Sequence, residues 1–246
     1  MELQNIFNSW ASGQTAKKFT EKQWLLSKWE NIEGIDWPQE KIAAMVDQIT
    51  MRLGLLPDHS LLDLGCGGGW LLKKMQPIIK KGVGIDISFN MLQHAASFFQ
   101  EGDWVTGQAA QIPFKEATFD RLLSYFVFIN IQDKEYIKKS LQEIHRVLKK
   151  GGKALIGQLP DKDKSADYDQ DKSEYLDYCQ ERFSLGQNYR DENYVPLQLY
   201  DRDEFCEMAL QTGMTCRSDQ SFNPFYRPGQ DLTINWRFDV ILEKNS

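Results

Sequence analysis

Hydrophobic positions fall into distinct regimes along this chain. Up to about residue 56 they recur at helical spacing, with Trp24, Leu25, Trp29 and Ile32 in one run and Ile42, Val46, Ile49 and Leu53 in another after Pro38. Gly54 and Pro57 close that region. From residue 60, short apolar runs alternate with amphipathic stretches. Strands are predicted at Leu61–Leu64, Gly82–Ile87, Trp104–Thr106, Arg121–Ile129 and Ala154–Leu159. Helices are predicted between them at Trp70–Ile79, Phe89–Phe99 and Asp133–Lys149. The last carries Ile137, Leu141, Ile144 and Leu148 on one face and ends in KKGGK, a basic turn followed by glycine. The Arg121–Ile129 run is strongly apolar, as a central strand would be.

The rhythm breaks over 160–200. DKDKSADYDQDKSEYLDYCQERF is acidic and tyrosine-rich, and the whole segment is too long for an ordinary connection. A helix at Asp203–Thr212 and strands near Thr215–Phe222 and Trp236–Glu243 complete the pattern. The predicted fold is α/β, a doubly wound, seven-stranded, mostly parallel sheet that binds ligands at the carboxyl ends of its strands. The expected organisation is a helical N-terminal cap over 1–56 and a core over 57–246, with 160–200 inserted as a substrate cap.

Composition narrows the partners. The 246 residues carry a formal net charge of −6, which argues against nucleic acid as the main ligand. No apolar stretch reaches the length of a membrane span, and MELQNIFNSW is not a secretory signal. Cys66, Cys179, Cys206 and Cys216 show no CxxC spacing, so four reduced thiols in a cytoplasmic protein are expected. No residue cluster has metal-ligand spacing.

LLDLGCGGGW, Leu61 to Trp70, is the first candidate for chemistry. A strand, a glycine turn and a helix start bring backbone N–H groups to a ligand. A dinucleotide site needs G-x-G-x-x-G, but Trp70 stands where its third glycine would be. Asp86 ends the second strand about 20 residues after the turn, where a carboxylate can accept ribose hydroxyls. Asp63, directly before the glycines, would repel pyrophosphate and suit a ligand bearing an ammonium and a sulfonium.

LLDLGCGGGW, GVGIDISFNML, AAQIPFKEATFDRLLSYFVFINIQD and RVLKKGGKALI resemble, in order and spacing over roughly 60–160, the successive motifs of the class I S-adenosylmethionine-dependent methyltransferases. IFNSWAS also resembles the opening FDxWA-type segment of small-molecule members. The resemblance implies that Asp63, Gly65, Cys66 and Gly67 hold the methionine end of the cofactor, Asp86 its ribose and Ile87 its adenine. Where the family carries G-D-A, this chain reads Gly107-Gln108-Ala109, so Gln108 and Ala109 are implied as adenine contacts through an amide in place of a carboxylate. It further implies that Ser124, Tyr125 and Phe126 stand beside the transferring methyl. For Ile87 and the aromatic residues, plain core packing is the alternative.

A general base is not evident. His59, His94 and His145 fall on the wrong elements, and Ile129-Asn130 stands where many family members carry a histidine. Trp10, Phe19, Tyr168, Tyr175, Tyr178 and Tyr194 are the candidate substrate-binding residues, suiting an amine or a polar aromatic acceptor; a solvated charged face is the alternative for the insertion. The expectation is methyl transfer to O or N of a small molecule by a monomer or homodimer. The rivals are a protein or peptide methyltransferase and a non-catalytic cofactor-binding module.

Overall fold

The structure, a computed structural model, describes residues 39–167, 198–222 and 233–245. The helical run at Trp24–Ile32 and the candidates Trp10, Phe19, Tyr168, Tyr175, Tyr178 and Tyr194 lie outside the described residues. In chain order the main elements are α1 (Gln39–Leu53), β1 (Ser60–Leu64), α2 (Trp70–Met75), β2 (Lys81–Asp86), α3 (Phe89–Phe98), β3 (Asp103–Thr106) and β4 (Phe119–Tyr125). They continue with α4 (Lys134–Val147), β5 (Leu148–Pro160), α5 (Arg202–Leu210), β6 (Met214–Phe222) and β7 (Thr233–Lys244).

The seven strands form one sheet in the order β3-β2-β1-β4-β5-β7-β6. β7 pairs antiparallel with both neighbours, while the pairs from β3 to β5 are parallel. The doubly wound, mostly parallel sheet expected from the sequence is present. The order reverses between β1 and β4, so the loops after these two strands open the crevice where such sheets bind ligands.

One core layer lies on each face. α4 buries Ile137, Leu141, Ile144 and Val147 against Leu62, Leu122, Ile156 and Val240. On the opposite face α1 buries Met45, Val46, Ile49 and Leu53 beside Leu61, Leu72, Leu123 and Leu155. Each fully buried aliphatic side chain contributes roughly 1.5–3 kcal/mol over an exposed one. Polar ties fix the end of α1: Arg121 Nε donates to Leu53 O at 2.5 Å, and Arg52 pairs with Asp239 on β7. Gly54, at φ 58°, then closes the helix in the left-handed conformation that glycine adopts cheaply.

Some boundaries differ from the periodicity reading. The apolar run Arg121–Ile129 is a strand only to Tyr125; Phe126 turns to φ 62° and Phe128–Asn130 is a 3-10 turn. An apolar run reports burial, and a buried turn satisfies it as well as a strand does. α4 stops at Val147, and Leu148 already pairs with Phe119, so Gly151 at φ 68° lies within β5 and does not cap the helix. The cysteine reading is corrected too. Cys206 on α5 and Cys216 on β6 form a disulfide, because the turn at Gln211–Gly213 brings them together with Cα atoms 5.4 Å apart. Of the remaining two, Cys66 is a free thiol and Cys179 lies outside the described residues.

Tyr200 anchors the chain where it returns to the core. Its buried hydroxyl lies 2.6 Å from Phe128 O and 2.9 Å from Ile131 O, holding the turn after β4. Tyr200→Phe leaves these buried carbonyls without that donor, and a loss of about 1–3 kcal/mol is expected in urea unfolding. A loss below the error of the measurement would remove Tyr200 from this role.

Candidate active site

The site forms around the carboxyl ends of β1, β2 and β4. Gly65 N–H and Cys66 N–H both donate to Ile85 O, at 2.7 and 2.9 Å, folding the glycine turn back over β2. Asp86 fixes the turn from below. Its Oδ2 accepts Gly67 N–H and its Oδ1 accepts Ser88 N–H, each at 2.8 Å. Ser88 in turn caps α3 by accepting Met91 N–H.

The glycines have two different duties. A Cβ at Gly65 would stand 2.2 Å from Val127, and one at Gly69 would stand 2.2 Å from the Trp104 ring. Both positions also hold φ well above zero, at 79° and 75°. They are glycines because the protein's own side chains approach them. At Gly67 the nearest neighbour of a Cβ is the Met91 methyl at 3.4 Å, an ordinary contact. Trp104, which also presses on Gly84 and Gly102, is a structural determinant of the turn that the sequence motif did not single out.

Electrostatics distinguish this turn from a phosphate cradle. Asp63 is 3% exposed, and its Oδ2 has no hydrogen-bond partner among the described residues. Burial, with the Asp86 charge second, pushes its carboxyl up to about 7. Burial also raises Asp86, opposed by the backbone N–H donors of Ser88, Gly67 and Ile87. Two desolvated carboxyls within mutual influence would repel pyrophosphate and are relieved by a cation. The turn, the orphaned Asp63 oxygen and Asp86 therefore fit a nucleoside that carries positive charge and no phosphate. Cys66 stays a protonated thiol, since burial pushes it well above its ordinary value.

The other candidates divide. Ile87 is half-buried beside Asp86, and Ala109 is buried. Gln108 is exposed and borders an open depression of about 680 Å³ with Gln111, Phe114 and Arg146. Ser124 is fully buried and spends its hydroxyl on Leu64 O at 3.0 Å, tying β4 to β1. The Tyr125 hydroxyl is held internally, 3.5 Å from Asp239 Oδ2, and burial raises its pKa. Phe126 is the part-exposed member of the three. His59 lies at the amino end of β1, where Leu56 N–H donates to its Nδ1, and His145 lies near Gly213 on the far side of α4. Sequence reasoning missed Gln158, Arg237 and Asp239, which gather beside Tyr125 and Phe126. Strands β5 and β7 give no motif signal for them.

Among the described residues no helix is long and apolar enough to cross a membrane, and no group of three or more His, Cys, Asp or Glu could hold a metal ion.

Residues 62–156 match the family described as a methyltransferase domain. The chain is 37% identical over 112 residues to the 2-phytyl-1,4-naphtoquinone methyltransferase of a Nostoc species, covering 42% of this chain and 48% of that protein. It is 32% identical over 99 residues to the malonyl-[acyl-carrier protein] O-methyltransferase of Erwinia pyrifoliae, covering 40% and 37%. The matched stretches thus span less than half of these relatives. Among solved structures, the Haloferax volcanii protein determined in complex with the Trm112 methyltransferase activator superimposes with a TM-score of 0.65 at 16% identity, covering 98% of each chain. That likeness is one of fold.

Proposed function

We propose that this chain, whose residues 62–156 match a methyltransferase domain, is a class I S-adenosylmethionine-dependent methyltransferase that transfers a methyl group to a small-molecule acceptor. The observation that carries the reading is Asp63, buried just before the glycine turn with a carboxylate oxygen that has no hydrogen-bond partner among the described residues. Asp63, Gly65, Cys66 and Gly67 hold the methionine arm, Asp86 takes the ribose hydroxyls, and Ile87, Gln108 and Ala109 border the adenine. When bound, the cofactor supplies an electrophilic methyl on a sulfonium leaving group. The chain's own work is then to align the acceptor in line with that group and to exclude water.

Ser124 and Tyr125 act in this reading by fixing the end of β4, because both hydroxyls are already engaged. Phe126 offers its face to the reacting centre, where an aromatic ring favours positive charge. The relatives named above are a 2-phytyl-1,4-naphtoquinone methyltransferase and a malonyl-[acyl-carrier protein] O-methyltransferase. O or N transfer to a small molecule is the form proposed here.

Calorimetry with S-adenosylmethionine, S-adenosylhomocysteine and NAD tests the reading. Binding of the first two and none of the third is the expected result. Tight NAD binding would sink it. Transfer of label from the methyl donor to a protein substrate, with none to small molecules, would favour the peptide-methylating alternative.

A further inference from the structure

The segment Gly107–Phe114 leaves the carboxyl end of β3 and returns towards the start of β4 without a strand or helix of its own. Its shape is therefore set by what its backbone bonds to. One end is fixed where Gly107 N–H donates to Asp86 O at 3.0 Å, and Gln111 N–H closes a turn on Gln108 O at 3.1 Å. The other end is held by two side chains one helical turn apart on α4, Glu143 and Arg146. Glu143 Oε2 accepts Ile112 N–H at 2.7 Å. Arg146 Nη2 donates to Ile112 O at 2.9 Å, and its Nη1 donates to Phe114 O at 2.7 Å. One ion pair thus engages both backbone polar groups of Ile112.

The pair is itself rigid. Arg146 Nε donates to Glu143 Oε1 at 2.6 Å and Nη2 to Oε2 at 2.7 Å, the two-pronged match of guanidinium to carboxylate. The Arg146 hydrogen bond holds the Glu143 carboxyl below its ordinary range, so the pair stays charged. Fold stability alone does not account for it. The Arg146 and Glu143 side chains are 35% and 20% exposed, and ion pairs so placed contribute little to folding. Glu135–Lys138, at 2.8 Å, is a comparable i,i+3 pair that joins two residues of the same helix to each other. Glu143 and Arg146 instead reach across to the segment that carries Gln108, and with Gln108 they line the open depression of about 680 Å³.

We propose that Glu143 and Arg146 are positioning residues for base recognition, which clamp the Gln108–Phe114 backbone so that Gln108 meets the adenine amino group. The proposal rests on the methyltransferase reading and deepens it. The exposed Gln108 amide can discriminate one base from another only if the backbone beneath it is held still. Ala109 and Ile112 supply part of that restraint by burial in the core. The ion pair supplies the rest, through charge-assisted bonds to Ile112 and Phe114. Ordering the segment before the ligand arrives lowers the cost of binding. Glu143 and Arg146 act through this backbone, so their loss changes which base is preferred and leaves the Asp63 and Asp86 end of the site in place.

The test is calorimetry on the full chain with two probes: S-adenosylhomocysteine and its analogue in which hydrogen replaces the adenine amino group. The wild type should prefer the first by about tenfold or more, as one lost hydrogen bond in a fitted site costs. Arg146→Met should bring the two affinities to within about threefold of each other, and Arg146→Lys, which keeps one charged donor, should fall between. Glu135→Gln breaks the comparable pair on α4 and should leave the preference unchanged. A change in stability alone does not alter this ratio. Urea unfolding shows whether each variant folds, and if Arg146→Met does not, Arg146→Lys is read in its place. A wild type that binds both probes equally, a full preference in the Arg146 variants, or an equal loss in Glu135→Gln overturns the proposal. Failure of the wild type to bind S-adenosylhomocysteine overturns the methyltransferase reading as well, and is distinguishable from loss of base preference alone.

Discussion

Asp86→Ala is expected to weaken S-adenosylmethionine binding by well over tenfold, which is more than about 1.4 kcal/mol. Two losses combine. The carboxylate that would accept the ribose hydroxyls disappears, and Gly67 N–H and Ser88 N–H lose their acceptor. The glycine turn then has no fixed partner below it, so the surface that receives the methionine arm is lost as well. Asp86→Asn separates the two. Its amide nitrogen cannot accept an N–H, so it satisfies one backbone donor and fails the other, and an intermediate loss is expected. Calorimetry gives the affinities, and urea unfolding of the free proteins separates binding from folding. An Asp86→Ala protein that folds and binds with unchanged affinity would remove Asp86 from the site.

Lowering the pH should weaken cofactor binding through Asp63. Its carboxyl is pushed up to about 7 chiefly by burial, so it is largely protonated below neutrality. A cationic ligand favours the ionised form. Affinity should therefore rise with pH up to about 7 and level off above it. At pH 5.5 it should be roughly thirtyfold weaker than the plateau, following tenfold per unit below the pKa. Binding near pH 6 should release close to one proton, read from calorimetry in buffers of different ionisation heat. Stability carries the opposite sign. Between the ordinary carboxylate range and about 7, the folded state holds a proton that the unfolded chain has lost. The free protein accordingly loses stability as pH rises through that window, and bound cofactor restores it. Asp63→Asn should flatten the pH dependence of binding. If the wild type binds equally well at pH 5.5 and 8, Asp63 does not face the positive charge.

The two carboxylates and the glycine turn were legible because their signal is local. Asp63, the glycines and Asp86 lie within one strand–turn–helix–strand unit, where spacing along the chain fixes spacing in space. The amphipathic period of α4 was equally plain, since Ile137, Leu141 and Ile144 pack on one face whatever lies beneath. Boundaries were less so. The run through Phe126 to Ile129 is apolar whether it continues β4 or turns, and only the neighbouring backbone decides. The disulfide was hidden for the same reason: Cys206 and Cys216 are ten residues apart, and the α5–β6 turn brings them within bonding reach.

By itself, the sequence determined the sheet, its strand–helix alternation and the charge character of the cofactor turn, because periodicity and short-range spacing act within single elements. The tertiary structure decided what the glycines touch. It showed that Gly65 answers to Val127 and Gly69 to Trp104. It also gathered Tyr125, Gln158, Arg237 and Asp239 from β4, β5 and β7 around one buried point. These residues lie up to 114 positions apart in the chain. Only closure of the sheet, with β7 returning antiparallel beside β5, makes them neighbours, and no pattern along the chain encodes that contact.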